Sequence, residues 1–281
     1  MGIKADDIKI NYIPISEARR MSGLRIVLGA FAVPGPWREA CKGVFYVKGL
    51  DYMPVRSSNQ GASDLQIGMD GSQSELVAWT AQSSAPVVVW NDERPRSLWN
   101  DQLYLAERLQ PEPSLIPAEG EDRVRMFGLA NELMGEGGLL YNKRHFMAAP
   151  QQLESLPEDS AGRALFSFLG RKYGYTPQAL AGATRRVVEI LDMFDAQLAL
   201  QRAKGRRYLI GDQLSALDIY WATSCGFLDP MSEDRCPMYT EFRSPLLYGI
   251  PNAEIGSALT KELRAHRDFI YEAHLQLPIV F

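Results

Sequence analysis

The sequence predicts two domains, a small α/β domain followed by an all-α domain. Apolar runs of strand type alternate with amphipathic helical patterns in the first part of the 281-residue chain, and this alternation is typical of an α/β layer. Three prolines and one glycine then fall within residues 110–120, and since proline cannot continue a helix we interpret this segment as a linker. Beyond it the apolar residues recur at helical spacing. We therefore expect an N-terminal extension at residues 1–22, the α/β domain at 23–112, a linker at 113–120 and the helical domain at 121–281.

Two apolar runs in the first domain have the composition of strands that are buried on both faces. Residues 24–31 and 85–90 are rich in β-branched and aromatic side chains and are bounded by Gly, Pro, Asn and Asp. Between them, Pro36 and Gly49 mark the start and the end of a helix, because proline suits a first turn and glycine follows a last one. Residues 51–55 are predicted to form a further strand.

Two helices and one polar stretch account for the rest of the first domain. Residues 74–82 are predicted to form a short helix. Residues 97–109 form a stronger one, in which Leu98, Leu105 and Leu109 recur at helical spacing. Residues 56–73 are polar and interrupted by glycines and serines, which predicts a mobile loop.

The second domain carries two apolar stripes of helical period. One comprises Val187, Leu191, Phe194 and Leu198, and the other Ala258, Leu259, Leu263 and Ile270. The expected fold class is therefore an α/β domain plus a helical bundle.

The most specific motif lies within residues 208–220, Tyr-Leu-Ile-Gly-Asp-Gln-Leu-Ser-Ala-Leu-Asp-Ile-Tyr. Ser215 and Asp218 have the spacing of a capping box, and Leu214 and Ile219 that of a hydrophobic staple. A capping box alone commonly marks only the start of a helix. The whole string, however, resembles the capping segment in the C-terminal helical domain of cytosolic glutathione transferases.

This resemblance implies the glutathione transferase fold in a bacterial-type form, a thioredoxin-like N-terminal domain plus an all-α C-terminal helical bundle. It further implies glutathione as the cosubstrate, a small hydrophobic electrophile as the acceptor, and a homodimer. The implied reaction is transfer of an alkyl or aryl group to glutathione. A protein that binds glutathione or a hydrophobic ligand without catalysis is the alternative.

Ala85 and Pro86 are the first candidates for binding glutathione. Residues 84–88 are similar to the family element in which a cis-proline precedes a strand and the residue before it pairs with the cysteinyl backbone of glutathione. A cis X-Pro bond would turn the N–H and C=O of Ala85 towards an extended peptide ligand. The alternative is that Pro86 begins a strand in trans.

Arg96 and Ser97 are the second pair of candidates. They lie where the family has a Glu-Ser pair that holds the γ-glutamyl end of glutathione, at a helix start whose free N–H groups suit a carboxylate. Here the acidic partner is absent. Ser97 as an ordinary N-cap and Arg96 as an exposed charge remain the alternatives.

The segment from Gly35 to Arg38 aligns with the family's catalytic position, where other members have a Ser or Cys, in some followed by Pro-Phe. Gly35, Pro36, Trp37 and Arg38 are therefore the catalytic candidates. Residues 24–40 contain no serine, cysteine or tyrosine, so the usual donor that lowers the pKa of the glutathione thiol is missing. The helix dipole and free N–H groups would supply part of that effect, and Gly35 would let sulfur approach the backbone closely.

The neighbours of Gly35 have alternative interpretations. Trp37 is expected to wall the acceptor pocket and Arg38 to stabilise a thiolate, or else they are a packing residue and a solvated charge. Cys41 lies more than a turn inside the helix, where the free N–H groups have ended, which favours a buried structural thiol.

Residues 132–147 occupy the position at which family members form the acceptor pocket, across the domain cleft from the sulfur. Met134, Tyr141, Arg144 and His145 are the candidates. Such pockets are mostly apolar with a few placed polar groups. Tyr141 is expected to reach the thiol or the substrate, or else to be a core tyrosine. The glycines at 135, 137 and 138 should weaken or bend this helix.

Composition argues against several other functions. The net charge is −4 with scattered basic residues, which disfavours nucleic acid and anionic membranes as partners. The three cysteines lack zinc or CxxC spacing and fit the reducing cytoplasm as thiols. The histidines show no metal-ligand spacing, no apolar run reaches membrane-spanning length, and we expect a cytoplasmic protein without a metal.

Overall fold

The N-terminal sheet is built around strand β1 (Leu24–Leu28), in which all five residues are buried. β1 runs parallel to β2 (Met53–Arg56) and antiparallel to β3 (Val87–Trp90), so the described strands have the order β2-β1-β3. A parallel pair requires a crossover connection, and the helix predicted after Gly35 provides it. The computed structural model describes residues 10–29, 33–57 and 73–280.

Four helices accompany this sheet: α1 (Ile15–Ala18), α2 (Pro36–Val47), α3 (Ser74–Thr80) and α4 (Trp99–Leu109). The helix predicted at residues 97–109 begins two residues later than expected, with Leu98 as its N-cap. Residues 58–72 of the predicted loop and residues 1–9 of the predicted extension lie outside the described residues.

The two faces of the sheet are covered by different helices because successive side chains of a strand point to opposite sides. On one face Val27, Val87 and Val89 pack with α1 and α3. On the other face Ile26 and Val88 join the large core that includes α2 and α4. Coverage on both sides explains why these strands are continuous apolar runs instead of alternating patterns.

The part of the chain after the linker is helical throughout its described residues, apart from turns. Its helices are α5 (Gly120–Met134), α6 (Leu139–Met147), α7 (Pro150–Glu154), α8 (Ala161–Lys172), α9 (Pro177–Ala203), α10 (Ala216–Leu228), α11 (Ala253–Ala258) and α12 (Lys261–His274), with a 3-10 turn at Thr240–Phe242. The sequence prediction of an α/β layer followed by a helical bundle is confirmed.

Helix α10 lies at the centre of the molecule. All of its residues except Gly226 are buried, and it packs against α5 and α12 as well as against α2 of the N-terminal domain. Such a helix is hydrophobic all round, as expected for a core element. It holds α2, whose start carries the catalytic candidates, against the helical bundle.

The capping box predicted at the start of α10 is present. The buried Asp218 carboxylate accepts hydrogen bonds from the N–H and the hydroxyl of Ser215, at 3.0 and 2.8 Å. It also accepts one from the N–H of Leu209 at 2.8 Å and lies 2.9 Å from Nε2 of His266. Asp218 therefore ties the preceding turn and α12 to the first turn of α10.

The glycine cluster after Glu132 has a stronger effect than the predicted bend. The helix stops at Met134 and a new one, α6, starts at Leu139. Gly137 has a φ of +75°, which L side chains rarely adopt. At Gly138 a Cβ atom would come within 2.6 Å of the Glu132 carbonyl oxygen. The break turns the chain sharply and places α6 beside the start of α2.

Candidate functional site

The start of α2 presents the N-terminal end of a helix dipole. Gly35 is the N-cap, without a side-chain cap, and Pro36 occupies the first helical position. The carbonyl of Gly35 accepts the N–H of Glu39 at 2.8 Å. Trp37 lies in the first turn, where backbone N–H groups of an α-helix lack intrahelical acceptors, and this is the geometry that favours an anion or a thiolate.

Gly35 leaves room for a side chain. A Cβ atom there would lie 3.7 Å from Cβ, 3.9 Å from Nε and 4.0 Å from Cζ of Arg38, which is ordinary van der Waals contact. The φ of −57° is accessible to any L-residue. Neither a close contact nor a positive φ therefore requires glycine at this position.

Arg38 is buried, so its interpretation as a solvated charge is wrong. Its guanidinium donates to the carbonyl oxygens of Gly29 and Val33, and its Nε lies 3.2 Å from Oε1 of Glu39. Glu39 in turn accepts from Lys42 at 2.8 Å. Arg38 thereby anchors the end of β1 to the start of α2, with its guanidinium close to position 35.

Trp37 contacts the helical domain directly. Its Nε1 donates to the Met134 carbonyl at 3.0 Å. Its ring stacks on Tyr173 with the centroids 5.6 Å apart, and meets the edge of Tyr141 at 5.8 Å. Tyr141 and Tyr173 also meet edge to face at 5.1 Å. Trp37, Tyr141 and Tyr173 together are called the aromatic cluster below.

Arg144 lies against this cluster. Its Cζ is 5.9 Å from the ring centroid of Trp37, 5.5 Å from that of Tyr173 and 4.7 Å from that of Phe227 in α10. The structure therefore brings Trp37, Tyr141 and Arg144 together, and Met134 joins them through its carbonyl group.

His145 is placed differently from the other pocket candidates. It is buried, its ring lies 6.4 Å from Tyr175, and Nδ1 has no hydrogen-bond partner among the described residues. Burial lowers its pKa. The aromatic cluster thus has no recorded contact with His145 in the described part of the chain.

The Ala85–Pro86 peptide bond is cis, which confirms the sequence expectation. Pro86 is buried and Ala85 is half-buried, and Ala85 forms no backbone hydrogen bond within the described part of the chain. Gln102 fixes this segment from α4, donating to the carbonyls of Pro86 and Arg96 at 3.2 and 3.3 Å. The polar backbone atoms of Ala85 remain available.

Arg96 and Ser97 differ from their alternative interpretations. Arg96 is not an exposed charge, because only 12% of its side chain is accessible and it binds Glu93 at 2.6 Å. Its backbone also pairs with Val88 beside β3. Ser97 is not the N-cap, since Leu98 takes that position. The Ser97 hydroxyl has no recorded partner within residues 73–280.

The comparisons with known proteins agree with this architecture. Residues 177–247, which include the capping segment, match the family model of the glutathione S-transferase C-terminal domain. The match covers α9, α10 and the 3-10 turn at Thr240–Phe242. A comparison with curated proteins found no match.

Solved glutathione transferases share the fold over nearly the whole chain. A family member from Pseudomonas fluorescens with two glutathione bound is 13% identical, with 92% of this chain and 93% of that chain covered and a TM-score of 0.57. An enzyme from Methylobacterium radiotolerans in complex with glutathione sulfonate is 14% identical, covers 90% and 92%, and has a TM-score of 0.55. One from Pseudomonas putida with one glutathione disulfide per subunit is 15% identical, covers 92% of both chains and has the same score. At these identities the likeness shows the fold.

Three residues at the domain boundary were not predicted from the sequence. Gln102 holds the Pro86 segment, and Tyr173 completes the aromatic cluster. Lys172, the last residue of α8, donates from Nζ to the hydroxyl of Ser84, directly before Ala85. Their positions result from packing between distant segments, and no local sequence pattern distinguishes them from ordinary helix-end residues.

The cysteines are unsuited to catalysis. Cys41, Cys225 and Cys236 are free and buried. Burial raises the pKa of Cys225 and of Cys236 to about 12, and raises the pKa of Cys41 well above its usual range. Among the described residues no His, Cys, Asp or Glu cluster could hold a metal, and none of their helices is long and apolar enough to cross a membrane.

Proposed function

We propose that this protein binds glutathione at the domain boundary and transfers its thiolate to a small apolar electrophile. Three of the structures that share its fold contain glutathione or a close derivative of it. In the proposed complex the backbone of Ala85, beside Pro86, pairs with the cysteinyl part of glutathione. Ser97 and Arg96, together with the start of α4, receive its γ-glutamyl end.

The contact of Trp37 with Tyr141 and Tyr173 carries the proposal. Trp37 belongs to the first turn of α2, so the N-terminal end of that helix lies directly beside an aromatic wall from the helical domain. A thiolate held at the helix start would face an apolar acceptor across a short distance. Proximity of this kind makes a bimolecular transfer effectively unimolecular.

Each catalytic candidate has a proposed part. Gly35 and Pro36 leave the helix start open to the sulfur, and the N–H group of Trp37 donates to it. The Arg38 guanidinium contributes positive charge, since its hydrogen bonds already go to protein carbonyls and to Glu39. Met134, Tyr141, Arg144 and His145 remain the proposed residues of the acceptor pocket, with the Tyr141 hydroxyl reaching towards thiol or substrate.

We also propose a homodimer that forms through α4 and α5. Leu98, Tyr104 and Val124 expose 60%, 53% and 75% of their surface, and Tyr104 stacks on Phe127 at 5.6 Å. Contiguous exposed apolar patches mark interaction surfaces, and we propose that these side chains belong to one. Light scattering should give twice the monomer mass. The buried free thiols suit a reducing compartment, and we propose the cytoplasm.

A glutathione or hydrophobic-ligand binder without catalysis is the second candidate. Two observations favour it: position 35 has no side-chain donor, and the Trp37 ring is already stacked on Tyr173. In that case the thiol of bound glutathione stays protonated at neutral pH.

The pKa of bound glutathione separates the two functions. Thiolate absorbance is followed in a pH titration of the complex, with S-methylglutathione as the blank. A transferase should shift the thiol pKa well below the value of about 8.5 for a cysteine-type thiol. An unshifted pKa supports the binder, and absence of glutathione binding contradicts both functions.

A further inference from the structure

Arg144 is a cation without an acidic partner in the described part of the chain. Its recorded polar contact is from Nη1 to the sulfur of Met147, at 3.1 Å, and its buried Nε has no partner. A guanidinium carries five N–H donors and no acceptor. A thioether is a weak acceptor, so most of this hydrogen-bonding capacity is unused.

The surroundings of the Arg144 guanidinium favour an anion as its partner. Three aromatic rings, those of Trp37, Tyr173 and Phe227, lie within 6 Å of its Cζ. Ring faces attract a cation but do not accept the directed hydrogen bonds of a guanidinium fork. An anion beside apolar walls interacts with a cation more strongly than it does in water.

Two lysines add positive charge to the same region. Lys172 places its Nζ 5.5 Å from the ring of Tyr173, and Lys143 places its Nζ 5.5 Å from the ring of Phe227. Lys143 is buried and donates to the Pro245 carbonyl at 2.8 Å, whereas Lys172 donates to Ser84. Within the described residues, none of these three cations forms an ion pair.

The electrostatics of the lysines are consistent with an uncompensated positive site. Lys172 is exposed as a residue, but protein atoms crowd its ammonium end. That crowding, and secondarily the charge of Arg144, lowers the pKa of Lys172 to about 8. Burial and then Arg144 also lower the pKa of Lys143. Cations that disfavour one another's charge would be stabilised by a bound anion.

We propose that the acceptor is an apolar electrophile that carries a carboxylate, and that Arg144 binds this carboxylate while Lys172 adds charge at the rim. The planar fork of arginine matches a carboxylate with two parallel hydrogen bonds. This inference rests on the proposed function and specifies its substrate class. Glutathione also has carboxylates, but Arg144 lies against the aromatic cluster, whereas Lys172 is the cation beside Ser84 and Ala85.

The test compares 4-chloro-3-nitrobenzoate with its neutral analogue 4-chloro-3-nitrobenzamide. In both, the glutathione thiolate attacks the ring carbon that bears chlorine, the C–S bond forms, and chloride leaves with the electrons of the C–Cl bond. The kcat/KM ratio of acid to amide is measured for the unmodified protein, Arg144→Met and Arg144→Lys. Arg185→Met is the matched control, since Arg185 is an exposed α9 arginine paired with Glu189.

Arg144→Met should lower the acid-to-amide ratio about 10- to 100-fold, the loss expected for a hydrogen bond between charged groups. Arg144→Lys should lower it less, and Arg185→Met should leave it unchanged. An equal ratio in the unmodified protein and Arg144→Met overturns the proposal. So does an unchanged ratio accompanied by a higher KM for glutathione, because Arg144 would then bind a carboxylate of glutathione.

Binding of unreactive 3-nitrobenzoate and 3-nitrobenzamide, measured by calorimetry with S-methylglutathione present, separates this proposal from the transfer function. Binding of the benzoate that depends on Arg144, without turnover of either chloride, supports the anion site and contradicts the transferase. Turnover without preferential benzoate binding supports the transferase and contradicts the anion site. If Arg144→Met fails to fold, the unmodified protein still tests the anion site: it should bind 3-nitrobenzoate more tightly than 3-nitrobenzamide, and equal binding contradicts the proposal.

Discussion

Installing a hydroxyl at position 35 tests whether the thiolate forms at the start of α2. Gly35 has φ −57° and ψ 118°, and a Cβ atom there meets nothing closer than 3.7 Å. Gly35→Ser should therefore fold normally and gain slightly from reduced entropy of the unfolded chain. Gly35→Ala adds the same Cβ without the hydroxyl and is the matched control.

The expected effect follows from the strength of one hydrogen bond to an anion. A hydrogen bond to a charged group contributes about 1.5–3 kcal/mol, and one pKa unit corresponds to about 1.4 kcal/mol. A serine hydroxyl that donates to the sulfur should therefore lower the pKa of bound glutathione by about 1–2 units relative to Gly35→Ala. At a pH below both pKa values, the thiolate population and kcat/KM should rise about 10- to 100-fold.

The assay is the thiolate absorbance titration of bound glutathione, together with kcat/KM for 4-chloro-3-nitrobenzamide as a function of pH. A lowered pKa enriches thiolate only at acidic and neutral pH, so the serine and alanine variants should converge once the pH exceeds both values. Equal titration curves for the two variants would refute the reasoning, because the sulfur would then lie out of reach of residue 35.

Four further outcomes follow from the structure. Asp218→Asn should lower the free energy of unfolding, measured in urea, by about 2–4 kcal/mol, because a neutral amide cannot accept the same set of buried hydrogen bonds. A decrease below about 1 kcal/mol contradicts this. Trp37→Ala should raise KM for the amide acceptor more than KM for glutathione. The acid-to-amide ratio should fall as the pH rises through about 8, where Lys172 loses its proton, and Lys172→Met should remove this step. The native protein should show no thiol that reacts rapidly with an aromatic disulfide, since Cys41 and the other two cysteines are buried with raised pKa values.

Features governed by local chemistry could be predicted from the sequence. The capping box needs only Ser215 and Asp218 at the correct spacing, and the buried strands need only continuous apolar runs. The helix start at Pro36 follows from the fixed φ of proline. These features depend on residues a few positions apart, so their pattern can be recognised in the sequence.

Features that depend on packing between distant segments could not be predicted. For Arg38 the sequence leaves two alternatives, a stabiliser of a thiolate and a solvated charge, and the second is wrong because the side chain is buried and donates to the carbonyls of Gly29 and Val33. Arg96 likewise has an exposed charge as one alternative from the sequence. In the structure it binds Glu93, and its backbone pairs with Val88 of β3. Tyr173 joins Trp37 although 136 residues separate them in the chain. In each case the sequence gives the chemical type of the side chain, whereas the groups that the side chain contacts depend on the tertiary fold.

Arg38 bears on whether a thiolate could form at position 35 without a side-chain donor. Its guanidinium approaches within about 4 Å of where a residue-35 Cβ would lie, so it would add positive potential for a sulfur bound nearby. Glu39, which pairs with both Arg38 and Lys42, cancels part of this field. Because Arg38 already donates to two carbonyls and to Glu39, it attracts a thiolate mainly by charge. At the proposed thiolate site Gly35 therefore leaves a nearby positive charge and a helix start but no side-chain donor, which is why a single hydroxyl should have a large effect there.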